Sequence, residues 1–236
     1  AVQRNDVLLA VCHVLRYTLY SQKLKEIIDS GAIGDVVGIQ RLEPVGFWHM
    51  AHSFVRGNWR SEEESGPMLL TKSCHDLDWI YYMMDAPVKA VSSFGSLKHF
   101  RPEEAPEGAG DRCLTCPVEA TCPYSAKRIY FEALKRGHTG WPVNVLTPDP
   151  TPETVREALE TGPYGRCVYK CDNDVVDHQV VTLDFEGGRT AGFTMMAFTE
   201  MRHRETRIFG THGELRGDGR YIDHYDFLTE EVKRID

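Results

Sequence analysis

The sequence predicts an α+β fold: an open, antiparallel-dominated sheet with helices on one face. Two observations predict it. Helical spacing dominates the earlier part of the chain and β-hairpin patterns the later part, with no alternating βαβ series. No Gly-x-Gly-x-x-Gly loop occurs, so a Rossmann unit is expected to be absent from this chain.

The elements follow in order. Residues 7–14, VLLAVCHV, form a continuous apolar run with β-branched members, the pattern of a strand buried on both faces. Leu24, Ile27 and Ile28 recur at helical spacing within 20–30, and Gly31 stands where a C-terminal cap belongs. After Gly34-Asp35, residues 36–42 alternate, with Val37, Ile39 and Arg41 opposite Val36, Gly38 and Gln40, as a strand does. Residues 47–60 read as a loop rich in aromatic and histidine side chains. Ser65-Gly66-Pro67 opens one helix expected to run to about Met84, with Leu69, Leu70, Leu77, Ile80, Tyr81 and Met84 on its apolar face.

A strand is expected over 88–97, and 101–110 reads as a solvated Pro/Glu/Gly loop. Helices are expected over 125–136 and after Thr151, a candidate N-cap. Strands 176–185 and 189–199 flank the turn Glu186-Gly187-Gly188, and strands 205–209 and 214–216 flank residues 210–213. Val176, Val180 and Phe185, then Phe193, Met195, Met196 and Phe198, place apolar residues on both alternating sets. One set can cover a core and the other can dock a second copy in a homodimer or higher homo-oligomer.

Composition removes several classes of function. A formal charge of -8 and a pI near 5.7 give no general attraction to nucleic acid or anionic membranes. No apolar run approaches the roughly 20 residues of a membrane span. The seven cysteines are unevenly spaced, and residues 1–6 lack a signal-peptide pattern. Reduced thiols in a cytoplasmic protein are therefore expected.

The densest polar run is Thr71-Lys72-Ser73-Cys74-His75-Asp76-Leu77-Asp78. On a helix Lys72, His75 and Asp76 share a face, and Thr71, His75 and Asp78 share the adjoining one. A Lys–His pair can place a proton donor at a substrate oxygen, and a carboxylate can orient the imidazole. A second constellation, Cys113-x-x-Cys116-x5-Cys122, has the ligand spacing of zinc, with Cys167 or Cys171 able to complete a four-ligand shell. An iron–sulfur cluster uses the same ligands. In a third, the polar stretch 172–178, His178 beside Asp177 is the candidate for substrate contact.

Several of these motifs together resemble the Gfo/Idh/MocA oxidoreductases. Trp59-Arg60, Ser65-Gly66, Leu69-Leu70 and then His75-x-x-Asp78 resemble that family's signature. Residues 7–17, ending Arg16-Tyr17, look like the last strand of its nucleotide-binding domain and the crossover that follows; Ser30-Gly31-Ala32-Ile33-Gly34 resembles its helix-to-strand joint, and 177–188 and Ile208-Phe209-Gly210-Thr211-His212-Gly213 resemble its closing strands. The resemblance implies a unit of 1–17 left from a dinucleotide-binding domain, and a substrate and oligomerisation domain over 18–236 with a cysteine-containing insertion near 101–125. It implies hydride transfer between NAD or NADP and a sugar, polyol or related carbonyl compound, with His75 as acid/base, Lys72 and Asp78 beside it, and no cofactor-binding residue within this chain. Arg16, Tyr17, Trp59, Arg60, Thr71, Asp76 and His178 are the implied substrate contacts. Thr71 stands where the family usually has an aspartate, and its E-K-P lysine motif is not in this sequence. Two alternatives stay open: an NAD-using glycosidase of the same fold, and a non-catalytic metal-binding assembly module.

Overall fold

The computed structural model describes residues 2–235. Ala1 and Asp236, the outer ends of the two expected units, lie outside the described residues. Eight strands form one sheet: β1 (Val36–Pro44), β2 (Val88–Ser96), β3 (His178–Phe185), β4 (Thr190–Met196), β5 (Glu205–Gly210), β6 (Gly213–Gly217), β7 (Ile222–Asp226) and β8 (Val232–Ile235). Their order across the sheet is β2-β3-β4-β1-β5-β6-β7-β8. β1 and β4 run parallel, and the other neighbours pair antiparallel. The predicted α+β class, an open antiparallel-dominated sheet with helices, is the observed one.

Period-two alternation decides the two faces. Ile39 and Arg41 of β1, Val181, Leu183 and Phe185 of β3, and Ala191, Phe193 and Met195 of β4 are all buried. The register of β1 shifts between Val36 and Gly38. That irregularity buries Val36 and exposes Val37, although simple alternation predicts Val37 on the side of Ile39. Helix α1 (Leu19–Asp29) and helix α2 (Cys74–Met84) join the buried cluster through Leu24, Ile27, Trp79, Ile80, Met83 and Met84. Thr18 caps α1, its hydroxyl accepting the Ser21 N–H at 3.2 Å.

Four segments differ from the sequence expectation. Residues 7–13 form no strand; Val7, Leu8, Leu9 and Val11 are exposed. Their apolar pattern marks a segment able to be buried, and among the described residues nothing buries it. Residues 47–56 are helical, not a loop, ending in a wide turn over Met50–Arg56 whose seven residues are all buried. Gly46 admits the chain from β1 into this segment with φ 91°, and a Cβ there would meet Met201 Cβ at 2.5 Å.

The single helix expected over 65–84 is broken. Gly66 ends a short turn at φ 102°, Met68–Thr71 forms another, and Lys72 leaves helical geometry at φ -129° before α2 begins at Cys74. Finally, the cysteine segment is part of a larger lobe with its own small core, in which Cys113, Tyr130 and Val143 pack against Val155 and Leu159 of α3 (Pro152–Thr161). Thr151 caps α3 with a reciprocal bond to Thr154, as its position predicts.

Candidate active site

The site is assembled where the N-terminus of α2 meets β1 and the segment 13–16. The helix break turns Lys72 away from a helical face and onto Glu43 of β1, Nζ to Oε1 3.2 Å. His75 follows in the first turn of α2, partly buried, with its Nδ1 enclosed and without a hydrogen-bond partner. Burial pushes the His75 imidazole below its ordinary pKa, and the nearby Arg204 and Lys72 charges act in the same direction. The neutral ring can accept a proton near neutral pH.

Asp78 does not orient that imidazole. Arg16 donates to both Asp78 oxygens at 2.6 and 2.5 Å, and His13 stands 3.9 Å from the same carboxylate. One turn of helix beyond His75, Asp78 faces the segment that carries His13 and Arg16. The His13 and His75 rings meet edge to face with centroids 6.4 Å apart. The bidentate pair thus pins the 13–16 turn over the start of α2.

Asp76 is fully buried, held between two arginines and not presented on an open helix face. Arg41 donates to it at 2.7 Å and Arg204 at 2.9 Å, while Arg41 lies over the Trp79 ring at 3.9 Å. Burial alone would raise the Asp76 pKa, but the two guanidinium groups outweigh it and hold the carboxylate ionised. Arg204 also reaches Glu43 at 2.7 Å. Arg41, Arg204, Glu43 and His13 were not singled out from sequence. One signal was present, since Arg41 occupies a core-facing position of an apolar strand.

The other expected contacts disperse. Arg60 donates to Asp172 at 2.9 and 3.0 Å and pairs with Glu64, so Trp59-Arg60 belongs to the loop beside residues 172–174. Thr71 bonds back to the Pro67 carbonyl, and Tyr17 is exposed in the 14–17 turn. His178 pairs with Asp177 at 2.8 Å and lies two residues before exposed Val180, which puts both on the face of the sheet opposite α2. The open face therefore carries His178 away from His75.

His13, Cys74 and His75 offer three donor atoms within 4.8 Å of one another, a spacing that suits a metal ion. The charges around them do not. Four cations, Arg16, Arg41, Lys72 and Arg204, surround three carboxylates, Glu43, Asp76 and Asp78. The excess positive charge suits a hydroxyl losing its proton, or an anionic substrate group, better than a divalent cation. The cysteines gather elsewhere: Cys113, Cys116, Cys122 and Cys167 line one cavity.

Residues 21–127 match the family model of the GFO/IDH/MocA C-terminal domain. Over that span the chain is similar to this domain. The matched span includes β1, the helix break, α2 and His75, and it runs through Cys113, Cys116 and Cys122 as well, although the sequence motifs set those cysteines apart. YteT of Bacillus subtilis, named as an oxidoreductase, is 24% identical over 92% of this chain and 50% of its own length. An NAD-binding oxidoreductase from Klebsiella pneumoniae superposes with a TM-score of 0.60 at 16% identity, over 99% of this chain and 48% of that one. Levoglucosan dehydrogenase, in complex with NADH and levoglucosan, superposes with a TM-score of 0.58 at 12% identity, over 99% of this chain and 48% of that one. The chain therefore spans about half the length of these relatives, and the structural likeness is one of fold. No helix among the described residues is long and apolar enough to cross a membrane.

Proposed function

We propose that this domain supplies the substrate side and the acid–base group of an NAD(P)-dependent oxidoreductase acting on a hydroxyl or carbonyl carbon of a sugar, polyol or related compound. One observation carries the reading: a neutral imidazole, His75, whose enclosed Nδ1 has no partner, stands at a helix start among charges with a positive excess. A nicotinamide cofactor supplies the hydride acceptor or donor at the substrate carbon. The part of this chain is the proton. His75 takes the hydroxyl proton as the carbon is oxidised and returns it in the reverse direction, so no bare alkoxide is left in a dry site.

Lys72 and Arg204, both anchored on Glu43, hold the field that favours the developing oxyanion. Asp78 fixes the 13–16 turn through Arg16 and so positions His13 beside His75. The exposed apolar run Val7, Leu8, Leu9 and Val11 reads here as a surface that a dinucleotide-binding unit would cover, and cofactor contact falls to that unit. The open sheet face, with Phe94 and Val180 exposed, reads as the surface on which a second copy docks. Support for the whole comes from the matched domain and from the oxidoreductase relatives of the same fold.

The test is His75→Ala in the full-length protein. Turnover should fall by about 10²-fold or more, with KM moved much less, as for a general acid–base group. In the oxidative direction, the low-pH limb of kcat should lie below the ordinary imidazole value and should vanish in the variant. Turnover close to the unsubstituted enzyme would remove His75 from the mechanism.

A further inference from the structure

We propose that Cys113, Cys116, Cys122 and Cys167 form a metal–thiolate centre, with the buried Arg56 guanidinium as its counter-cation. The four thiols line one cavity, and short turns present them. Cys113 opens the 3-10 turn Cys113–Thr115, and Cys116 caps that turn in extended geometry. Cys122 caps the next turn, Glu119–Thr121, in the same way. Cys167 follows the turn Pro163–Gly165, and its N–H is tied to the Asp111 carbonyl at 2.8 Å. Cysteines that end successive tight turns at one cavity provide the closed, short-range ligand set of a structural metal site.

Two kinds of observation point to a place for negative charge at these sulfurs, although without metal Cys113 Sγ still donates to the Arg166 carbonyl at 3.8 Å. N–H groups aim at sulfur: Gly110 N–H donates to Cys116 Sγ at 3.4 Å, and Arg56 Nη2 donates to Cys113 Sγ at 3.3 Å. The second is a charge left without an anion. Arg56 is 1% exposed, yet its other bonds go to the Arg166 and Tyr124 carbonyls at 2.8 and 2.9 Å, and its Nη1 has no partner. Glu119 also lines the cavity, but its carboxylate is taken by Lys127 and Ser125. A buried cation without a carboxylate is strongly unfavourable unless negative charge lies close by. Four thiolates around a metal ion supply it, and each releases its proton to solvent as it ligates.

The shared chemistry is a thiophilic metal in a four-sulfur shell, as single zinc or as an iron–sulfur cluster. The cavity holds only about 20 Å³, which suits one ion. Against that, among the described residues no three of these sulfurs converge within 4.8 Å, whereas a Zn–S bond of about 2.3 Å brings sulfurs to about 3.8 Å. Binding of either therefore draws the four sulfurs inward from their metal-free positions, as metal sites that form on binding do. The structure also chooses between the two candidate fourth ligands, because Cys171 donates to the Cys167 carbonyl at 3.2 Å and does not line the cavity.

The test is metal analysis of the full chain purified anaerobically without chelator, together with uptake of Zn²⁺, or of Fe²⁺ plus sulfide, by protein stripped of metal. About one zinc per chain, or iron with matching acid-labile sulfide and a visible charge-transfer band, is the expected result, and it distinguishes the two sources. Cys116→Ser should abolish stoichiometric binding, Arg56→Met should weaken it by about tenfold or more, and Cys171→Ser should leave it unchanged. The stoichiometry of the unsubstituted chain does not depend on whether a variant folds. A chain that takes up neither Zn²⁺ nor a cluster, with all four thiols freely titrating, would overturn the proposal, as would equal loss in Cys171→Ser.

Discussion

Two buried arginines mark the difference between the two halves of this domain. Arg41, on the central strand, is enclosed among an aspartate, a threonine hydroxyl and the face of Trp79. Arg56, at the edge of the cysteine lobe, is enclosed among carbonyl oxygens and one sulfur. The first charge is neutralised within the sheet–helix core itself. The second lacks a carboxylate, and the groups nearest to it are those that become anionic on binding a metal. Both are buried; what differs is whether the chain brings its own anion. That separates a structural salt-bridge network from a place prepared for a ligand.

The comparison breaks most visibly at Asp76. Removing it as Asp76→Ala leaves Arg41 and Arg204 without their shared carboxylate, and breaking a buried pair in this way costs about 3–5 kcal/mol. Denaturant unfolding should show that loss as a lower midpoint with little change in slope. A loss under 1 kcal/mol, on the order of a surface substitution, would mean that the network is not what holds α2 to the sheet.

A smaller effect sharpens the same contrast through pH. His52, beside Arg56, bonds Tyr130 at 2.7 Å and stacks on Tyr164. Burial, then the neighbouring His49 and Arg56, pushes its pKa down to about 3. Burial and the Lys72 charge push His49 down to about 4. For a histidine whose folded pKa lies below its unfolded value, stability is fully present above the unfolded pKa near 6.5 and is lost as pH falls below it, because the unfolded chain then binds the proton first. Each such group contributes up to about 1.4 kcal/mol per pH unit in that window. Unfolding free energy should therefore fall between about pH 6 and pH 5, and His52→Phe should flatten the slope by about one proton's share. Parallel slopes for variant and parent would show that His52 is protonated in the folded chain.

Much of this was legible in the sequence, and the reasons it stopped are physical. The hairpin of β3 and β4 declares itself through alternation and a glycine turn in which Gly187 and Gly188 both take positive φ. His75 is legible from its motif spacing. Its surroundings are not, because Glu43 and Arg204 reach it only through tertiary packing. The helix at Met50–Arg56 was missed because all of its faces are buried, which erases the amphipathic period that announces a helix. β7 and β8 were missed for the opposite reason: they are mostly polar and joined by the Arg234–Asp223 pair at 2.7 Å, a cross-strand contact with no apolar alternation behind it. The four-cysteine cavity was half legible. Spacing names Cys113, Cys116 and Cys122, but only the folded chain selects Cys167 over Cys171.

The smallest expected effect concerns the sheet's open face. The sequence predicts Phe193 and Met195 as docking residues, but both point into the core with no exposed surface, so Phe193→Glu would unfold the domain and report nothing about assembly. The face left open pairs Phe94 with Val180 and then Val180 with Thr194, with Thr182 and Gln40 interspersed. Phe94 is 78% exposed and Val180 44%, an apolar pair beside polar neighbours. A two-fold contact through this face would bury that pair against its own copy, which suits modest affinity more than an obligate interface. Phe94→Glu or Val180→Glu should then shift a dimer toward monomer in sedimentation equilibrium while changing unfolding stability by less than about 0.5 kcal/mol, as surface substitutions do. Like charges facing across a two-fold axis repel, so added salt should partly restore the variant dimer. A parent chain that stays monomeric at high micromolar concentration, or a dimer indifferent to both substitutions, would rule this face out as the contact.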